Sequence, residues 1–299
     1  MERRDRIDAF GAVSLTGFAL LLAVNQVVIK LVNAGLQPVF FAGLRSLFGM
    51  LCLWAWLVLR GKSPRLRREM LGPGILIGVV FAAEFVFLFL ALDMTTVTRT
   101  SIIFYSMPVW LSLAAHMLIP GERISGIKAV GLALAFAGVA WAILDRGGAS
   151  GEASLLGDLF ALFAAFGWMG VALCVRATPL IREKPETQLF WQLAVSAPVL
   201  LALSPLFGPL IRDLQPIHLA GLAFQSAVIV SAAFLFWFWL LTIYPASGVA
   251  SFSFLTPVFG VALGALWLGE KIGPEIIGAA SLVALGLILI NRPARACRA

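Results

Sequence analysis

Long apolar runs alternate with short polar stretches along the whole chain, and run length is the first restriction on the fold. A helix needs about 20 apolar residues to cross about 30 Å of hydrocarbon. Phe10 to Ile29 is free of charge and predicts a first span; Pro38 to Leu59 predicts a second, interrupted by Arg45. Gly74 to Leu92 predicts a third, interrupted by Glu84, followed by Thr100 to Ile119, Ile127 to Leu144, Gly157 to Val175 and Thr187 to Leu206. From Leu214 to Gly269 there is no Asp, Glu, Lys or Arg. That length predicts two spans, about Ile217 to Leu241 and Ala246 to Leu268, with Tyr244-Pro245-Ala246-Ser247-Gly248 as the turn. Pro274 to Ile290 predicts the tenth. A barrel would show alternating segments of about ten residues; these runs are continuous and rich in Leu, Ala, Val and Phe. The expected fold class is an all-α integral membrane protein of ten transmembrane helices.

Composition agrees with that pattern. Of 299 residues, 61% are hydrophobic and 12% charged, with a mean hydropathy of +0.99. A soluble domain is nearer half apolar and a quarter charged, so a soluble enzyme, a secreted disulfide scaffold and a nucleic-acid reader are excluded. The net charge of +7 reads instead as basic loops on one side of a membrane. With the N-terminus inside, 16 of the 22 Lys and Arg fall on inside segments and 4 (Arg99, Arg146, Arg212, Lys271) on outside loops; Lys30 and Arg45 lie in spans. This asymmetry places both termini in the cytoplasm and the chain in the plasma (inner) membrane. The basic start, Met1 to Arg6, leads into the first apolar run without a small-residue cleavage site, so that run is a span and not a removable signal. Cys52, Cys174 and Cys297 form neither a disulfide framework nor a metal-ligand spacing. No cofactor and no metal are expected.

The chain repeats itself. Phe104-Tyr105-Ser106-Met107-Pro108-Val109 aligns with Ser253-Phe254-Leu255-Thr256-Pro257-Val258, and Gly121-Glu122-Arg123-Ile124 with Gly269-Glu270-Lys271-Ile272. Gly11 matches Gly157, Lys30 matches Arg176 and Gly138 matches Gly286, at offsets of 146 to 149. Five spans per half is an odd number, so the second half enters the membrane from the opposite side. Two domains are expected, 1–150 and a second, inverted copy at 151–299. Such duplication is typical of secondary transporters with a midplane site between the repeats.

Several of these pieces resemble the drug/metabolite transporter superfamily, in its EamA-type branch of ten-helix carriers. They are Asn25-Gln26-Val27-Val28-Ile29-Lys30, Pro38 with Arg45, Ala91-Leu92 with Thr95-Thr96-Val97-Thr98, Pro108 and Gly121-Glu122-Arg123. In the second half they are Pro245-Ala246-Ser247, Pro257 and Gly269-Glu270-Lys271. Where the family has an aromatic-Gly pair before Asn25, this chain has Ala23-Val24. The resemblance implies export of amino acids and related metabolites, as in YddG-like amino-acid exporters, with cationic drugs as the alternative cargo. It also implies that Arg45 is a basic scaffold residue.

Polar and aromatic residues at membrane depth are the site candidates. Glu84 lies about 15 Å inside the third span and Arg45 about 10 Å down the second, by a rise of 1.5 Å per residue. A carboxylate there is costly unless protonated or paired. Glu84 reads either as a proton-coupling or substrate-ammonium group or as the structural partner of Arg45. Pro108 and Pro257 remove backbone bonds in equivalent helices and place both along a pathway. Tyr105, Trp110 and Trp168 are expected to line the cavity, together with Trp237 and Phe254; Gln225 is a midplane hydrogen-bonding group. Phe81, Phe85 and Phe89 share one helix face. Asn25 and Lys30 read as structural polar groups, and His116 and His218 as interfacial histidines. Gly260 with Gly264, the Gly131/Ala135/Gly138 stripe, and Gly278 with Ser281 mark close helix contacts.

The partners expected are a small-molecule substrate and the lipid bilayer, with no nucleic acid; a monomer is expected, a homodimer being the alternative. Two other function classes compete. A membrane-embedded enzyme needs carboxylate or histidine clusters, and no such motif is present. A channel needs rings of like residues or a hydrophilic filter, which two pseudo-symmetric halves do not supply.

Overall fold

The computed structural model describes residues 7–62, 67–118, 124–145, 154–244, 249 and 252–291. Among them the regular elements are helical, apart from one isolated bridge between Leu36 and Ile211. The first half contains α1 (Ala9–Asn33), α2 (Pro38–Leu59), α3 (Leu71–Met94), α4 (Val97–Phe104), α5 (Met107–Leu118) and α6 (Gly126–Leu144). The second contains α7 (Leu155–Ala177), α8 (Pro185–Leu203), α9 (Pro216–Ala223), α10 (Phe234–Ile243), α11 (Leu255–Leu268) and α12 (Pro274–Ile290). Eight helical stretches are long and apolar enough to cross a membrane, the last being Pro216–Trp237, and α11 and α12 are shorter apolar helices.

Local chemistry sets the starts. Asp8, Gln37, Thr96, Ser125 and Ser154 cap α1, α2, α4, α6 and α7 by accepting an amide three residues on. Proline opens α2, α8, α9 and α12, where its missing N–H costs nothing. Three details differ from the sequence expectation. α4 begins at Val97, so Arg99, counted above in an outside loop, is a buried helical residue. The fourth span breaks outright between α4 and α5 at Tyr105–Ser106, just ahead of Pro108, where a bend was expected. A ten-residue π-helix, Phe224–Ala233, joins α9 to α10. The turn at 245–248, the Gly121-Glu122-Arg123 segment and the terminal arginines lie outside the described residues.

Packing fixes the sense of each helix. Phe41 meets Phe89 (centroids 5.0 Å apart) and Arg45 meets Phe85, so α2 and α3 run antiparallel. α1 finishes beside the end of α3: Lys30 Nζ donates to the Thr95 carbonyl (2.8 Å) and Asn33 Nδ2 to that of Phe89 (2.9 Å). Gly157, Gly167 and Gly170 of α7 lie against Thr95, Glu84 and Val80 in turn. So α7 starts where α1 and α3 finish, and the second half enters the bundle from the opposite end. Contacts between halves come in matched sets: α3 with α7 and α1 with α9, α4 with α7 and α1 with α11, α2 with α8, and α6 with α12. The last pair is the closest. A Cβ at Gly131 would sit 2.8 Å from the Gly286 carbonyl, and one at Gly138 would sit 2.7 Å from that of Ala279. In lipid, where apolar burial drives little association, such small-residue contact supplies the packing. Phe10, Trp54, Phe136 and Trp267 project outward, as a surface solvated by hydrocarbon requires.

Candidate functional site

The end of the bundle holding Asp8 and Tyr244 is called the near end, and that holding Asn33, Thr95 and Asp158 the far end. Between them, α2, α3, α7 and the α4–α5 break bring four predicted residues together. Gly167 of α7 lets its backbone lie against Glu84, for a Cβ there would come 2.7 Å from that of Glu84. Glu84 is 4% exposed and Arg45 2%. The antiparallel register sets the Arg45 guanidinium over the Phe85 ring, 4.3 Å from its centroid, with Phe89 at 5.7 Å. Arg45 and Glu84 lie within electrostatic range of each other, but no ion pair joins them. Tyr105 sits at the helix break, edge-on to Trp168 (5.8 Å), and Phe104 stacks on the same indole at 5.0 Å and 21°.

A second polar group lies on α1 and the π-helix. Gln225 Nε2 donates to the Asn25 carbonyl (3.0 Å), and Ser101 Oγ donates to Gln26 Oε1 (2.5 Å). Counted at 1.5 Å per residue from the far ends of their helices, Asn25, Arg45, Glu84 and Gln225 are all about 10–15 Å deep. Many of their atoms are buried without a partner: Asn25 Oδ1, Gln26 Nε2, Arg45 Nε and Nη1, Ser46 Oγ, Glu84 Oε2 and Gln225 Oε1. Buried polar atoms are normally satisfied, and the cost of leaving them bare rises in hydrocarbon. A band of such atoms, on helices from both halves and flanked by aromatic rings, has the make-up of a site completed by a bound molecule.

The remaining predicted residues lie apart. Trp110 donates its indole N–H to Ser106 Oγ (2.9 Å) and packs edge-on against Phe166 and Phe136. Trp237 stacks on Phe18 at 4.7 Å, in the near-end cluster with Leu15 and Tyr244. Pro108 is the second residue of α5 and half-buried; Pro257 is the third of α11 and buried. Each stands just past an interruption, Tyr105–Ser106 in one half and the 3-10 turn Phe252–Phe254 in the other. Phe254 ends that turn, packed on the cluster of Ile102 and α12. Lys30 ties α1 to the end of α3, as given above. His218 is buried, its Nδ1 accepting the Gln215 amide (3.0 Å).

The two ends carry ties made by residues that the sequence reading did not place among the site candidates. At the far end Arg99 forks onto Asp158: Nη2 to Oδ2 is 2.7 Å, and Nε lies 3.1 Å from both oxygens. Its Nη2 also donates to the Ala142 carbonyl, and Thr95 Oγ1 donates to Asp158 Oδ1 (2.9 Å). Glu270 closes the α4 N-terminus, accepting the amides of Val97 (2.7 Å) and Thr98 (2.9 Å). Gly269, left-handed at φ +65, turns the chain back so that Glu270 reaches them. Arg212 bridges the far loops to Asp93 (2.7 and 3.0 Å) and the Asn33 carbonyl (2.9 Å). The Asp93 bonds raise the pKa of Arg212 above its ordinary value. At the near end Tyr244 donates its hydroxyl to Asp8 Oδ1 (2.6 Å). At the same end a cavity of about 530 Å³ lies between the α2–α3 and α7–α8 linkers, lined by Lys62, Arg67, Glu69, Arg182, Glu183, Lys184 and Glu186 among others. The available signal for Glu270 was its place in the repeated Gly-Glu-basic-Ile motif. Among the described residues no group of three or more His, Cys, Asp or Glu could hold a metal ion.

Comparison with known proteins adds the lineage. Residues 9–144 and 155–292 each match the EamA-like transporter family, so the duplication seen in the motifs is a duplication of that unit. A probable amino-acid metabolite efflux pump of Escherichia coli (strain K12) is 28% identical over 300 residues, covering 97% of this chain and 95% of the pump. An uncharacterised protein of Pseudomonas aeruginosa is 31% identical over 293 residues, covering 95% of this chain and 96% of that one. A solved crystal structure with 19% identity superposes with a TM-score of 0.64 over 92% of this chain and 95% of that one, a likeness of fold. With both halves matched and the helices arranged in two opposed copies, the chain belongs to the EamA-like transporter family.

Proposed function

We propose that the protein is a secondary carrier that exports small amphipathic metabolites, amino acids first among them, across the plasma (inner) membrane. Ten helices in two inverted repeats of five surround the substrate, with both termini cytoplasmic, and one repeat rocks against the other to open each end in turn. The observation that carries this reading is the band of unpartnered polar atoms around Arg45 and Glu84, contributed by both halves and walled by Tyr105 and Trp168. Supporting it are the exporter named among the relatives and a near-end cavity whose linkers carry the basic excess of an inside face. Each end has its own closure, as alternating access requires. The test is counterflow in proteoliposomes against a panel of the twenty amino acids and quaternary cations. Accelerated exchange of labelled amino acid across a sealed bilayer is expected. No exchange of any amino acid by well-folded protein overturns the reading, and chemical conversion of the label points to an enzyme.

A further inference from the structure

We propose that Arg45 is the receptor for a substrate carboxylate and Glu84 the receptor for its ammonium group, so that the cargo is a zwitterionic α-amino acid with a large apolar or aromatic side chain. This rests on the carrier reading and narrows it. A helix-holding role would be met most simply by pairing the two charges, since an unpaired buried charge costs several kcal/mol. Facing helices and similar depth put them close enough to feel each other, yet they are not joined. Instead the flat face of the Arg45 guanidinium is held by Phe85 at 4.3 Å. That contact is a cation–π one and leaves the in-plane donors Nε and Nη1 bare. Bare in-plane N–H groups are what a guanidinium offers to a carboxylate. Glu84 Oε2 is bare as well, and an ammonium is its natural complement.

Charge balance selects among ligands. With one guanidinium and one carboxylate already buried, a zwitterion pairs both and adds no net charge. An amine satisfies Glu84 and leaves Arg45 bare; a plain carboxylic acid does the reverse. The stacked Phe104–Trp168 pair and the edge-on Tyr105 supply aromatic surface for an apolar side chain.

The test is competition with labelled phenylalanine in proteoliposome counterflow, using phenylalaninamide, 3-phenylpropionate and phenylalanine itself. Each analogue deletes one charge and is expected to compete at least about tenfold more weakly, the scale of one charge-assisted bond. R45Q is expected to weaken phenylalanine by a similar factor and bring phenylalanine and phenylalaninamide to parity. E84Q is expected to do the same for phenylalanine against 3-phenylpropionate. R45K keeps the charge without the planar donors and falls between. Equal competition by phenylalaninamide in the wild type, or R45Q that still discriminates tenfold, overturns the assignment while the carrier reading stands. Absence of any amino-acid exchange overturns the carrier reading itself. Should the Arg45 variants fail to fold, the wild-type analogue series decides alone.

Discussion

The two ends of the bundle occupy equivalent places in the repeat and are closed by different chemistry. Thr95 follows α3 and Tyr244 follows α10, and each donates a hydroxyl to an aspartate where the first helix of a half begins, Asp158 in α7 and Asp8 capping α1. At the far end that contact is one strand of a network: the Arg99–Asp158 ion pair is 1% and 0% exposed, and Glu270 and Arg212 add further ties. At the near end the phenol bond goes to Asp8, which also caps α1. Duplication thus left a hydroxyl–aspartate tie at equivalent points of both halves.

The largest disturbance of that contrast is expected from Asp158→Asn. It leaves the Arg99 guanidinium buried without its counter-charge, at a cost of about 3–5 kcal/mol. A lowered Tm in detergent, with faster hydrogen exchange at the amides of Val97 and Thr98, checks it; an unchanged melt would mean that the far end is not held by this pair. Glu270→Gln removes the charge from the cap on α4 and is expected to cost about 1–2 kcal/mol, read by exchange at the same two amides with the near end untouched. Thr95→Val and Tyr244→Phe make the sharpest matched pair. Each deletes one hydroxyl bond, worth about 0.5–1.5 kcal/mol, at symmetry-related points. They are expected to melt alike and to loosen opposite ends, so protection lost at the same end in both would refute the symmetry. Asp93→Asn is expected to have the smallest effect, about 0.2–1 kcal/mol and weaker at high salt, because its pair with Arg212 is partly exposed. Melts at low and high salt check it.

The apolar runs were legible because length and hydropathy alone decide what crosses hydrocarbon. The starts at Pro38 and Pro274 were legible because proline chemistry acts within a few residues, whereas the helix read from Thr187 begins at Pro185. What escaped depends on distant partners. Arg99 sits among Thr95, Thr96, Thr98 and Thr100, a polar stretch that reads as a loop; only Asp158, 59 residues on, makes its burial tolerable. The π-helix at 224–233 contains neither Gly nor Pro to announce it. Its Ser231 hydroxyl reaches both the Ser226 carbonyl within the helix (2.9 Å) and that of Gly49 on α2 (3.3 Å), a contact invisible to a local reading. In the candidate site, Glu84, Arg45, Tyr105 and Trp168 were selected by depth and type, and the structure gathers them. Their mutual geometry was beyond reach, including the seating of the Arg45 guanidinium over Phe85. Trp110 has the same type, yet it faces Phe136 and Phe166, and Trp237 lies in the near-end cluster.

The seam between α6 and α12 has a mechanical consequence. These helices hold the same place in the two halves and touch one another, so the axis that exchanges the halves passes through their seam. Gly131 against Gly286 and Gly138 against Ala279 leave no slack for sliding. In the rocking motion proposed above this seam is the fulcrum: its residues travel least, while Asp8 and Asp158, toward the two ends of the bundle, travel most.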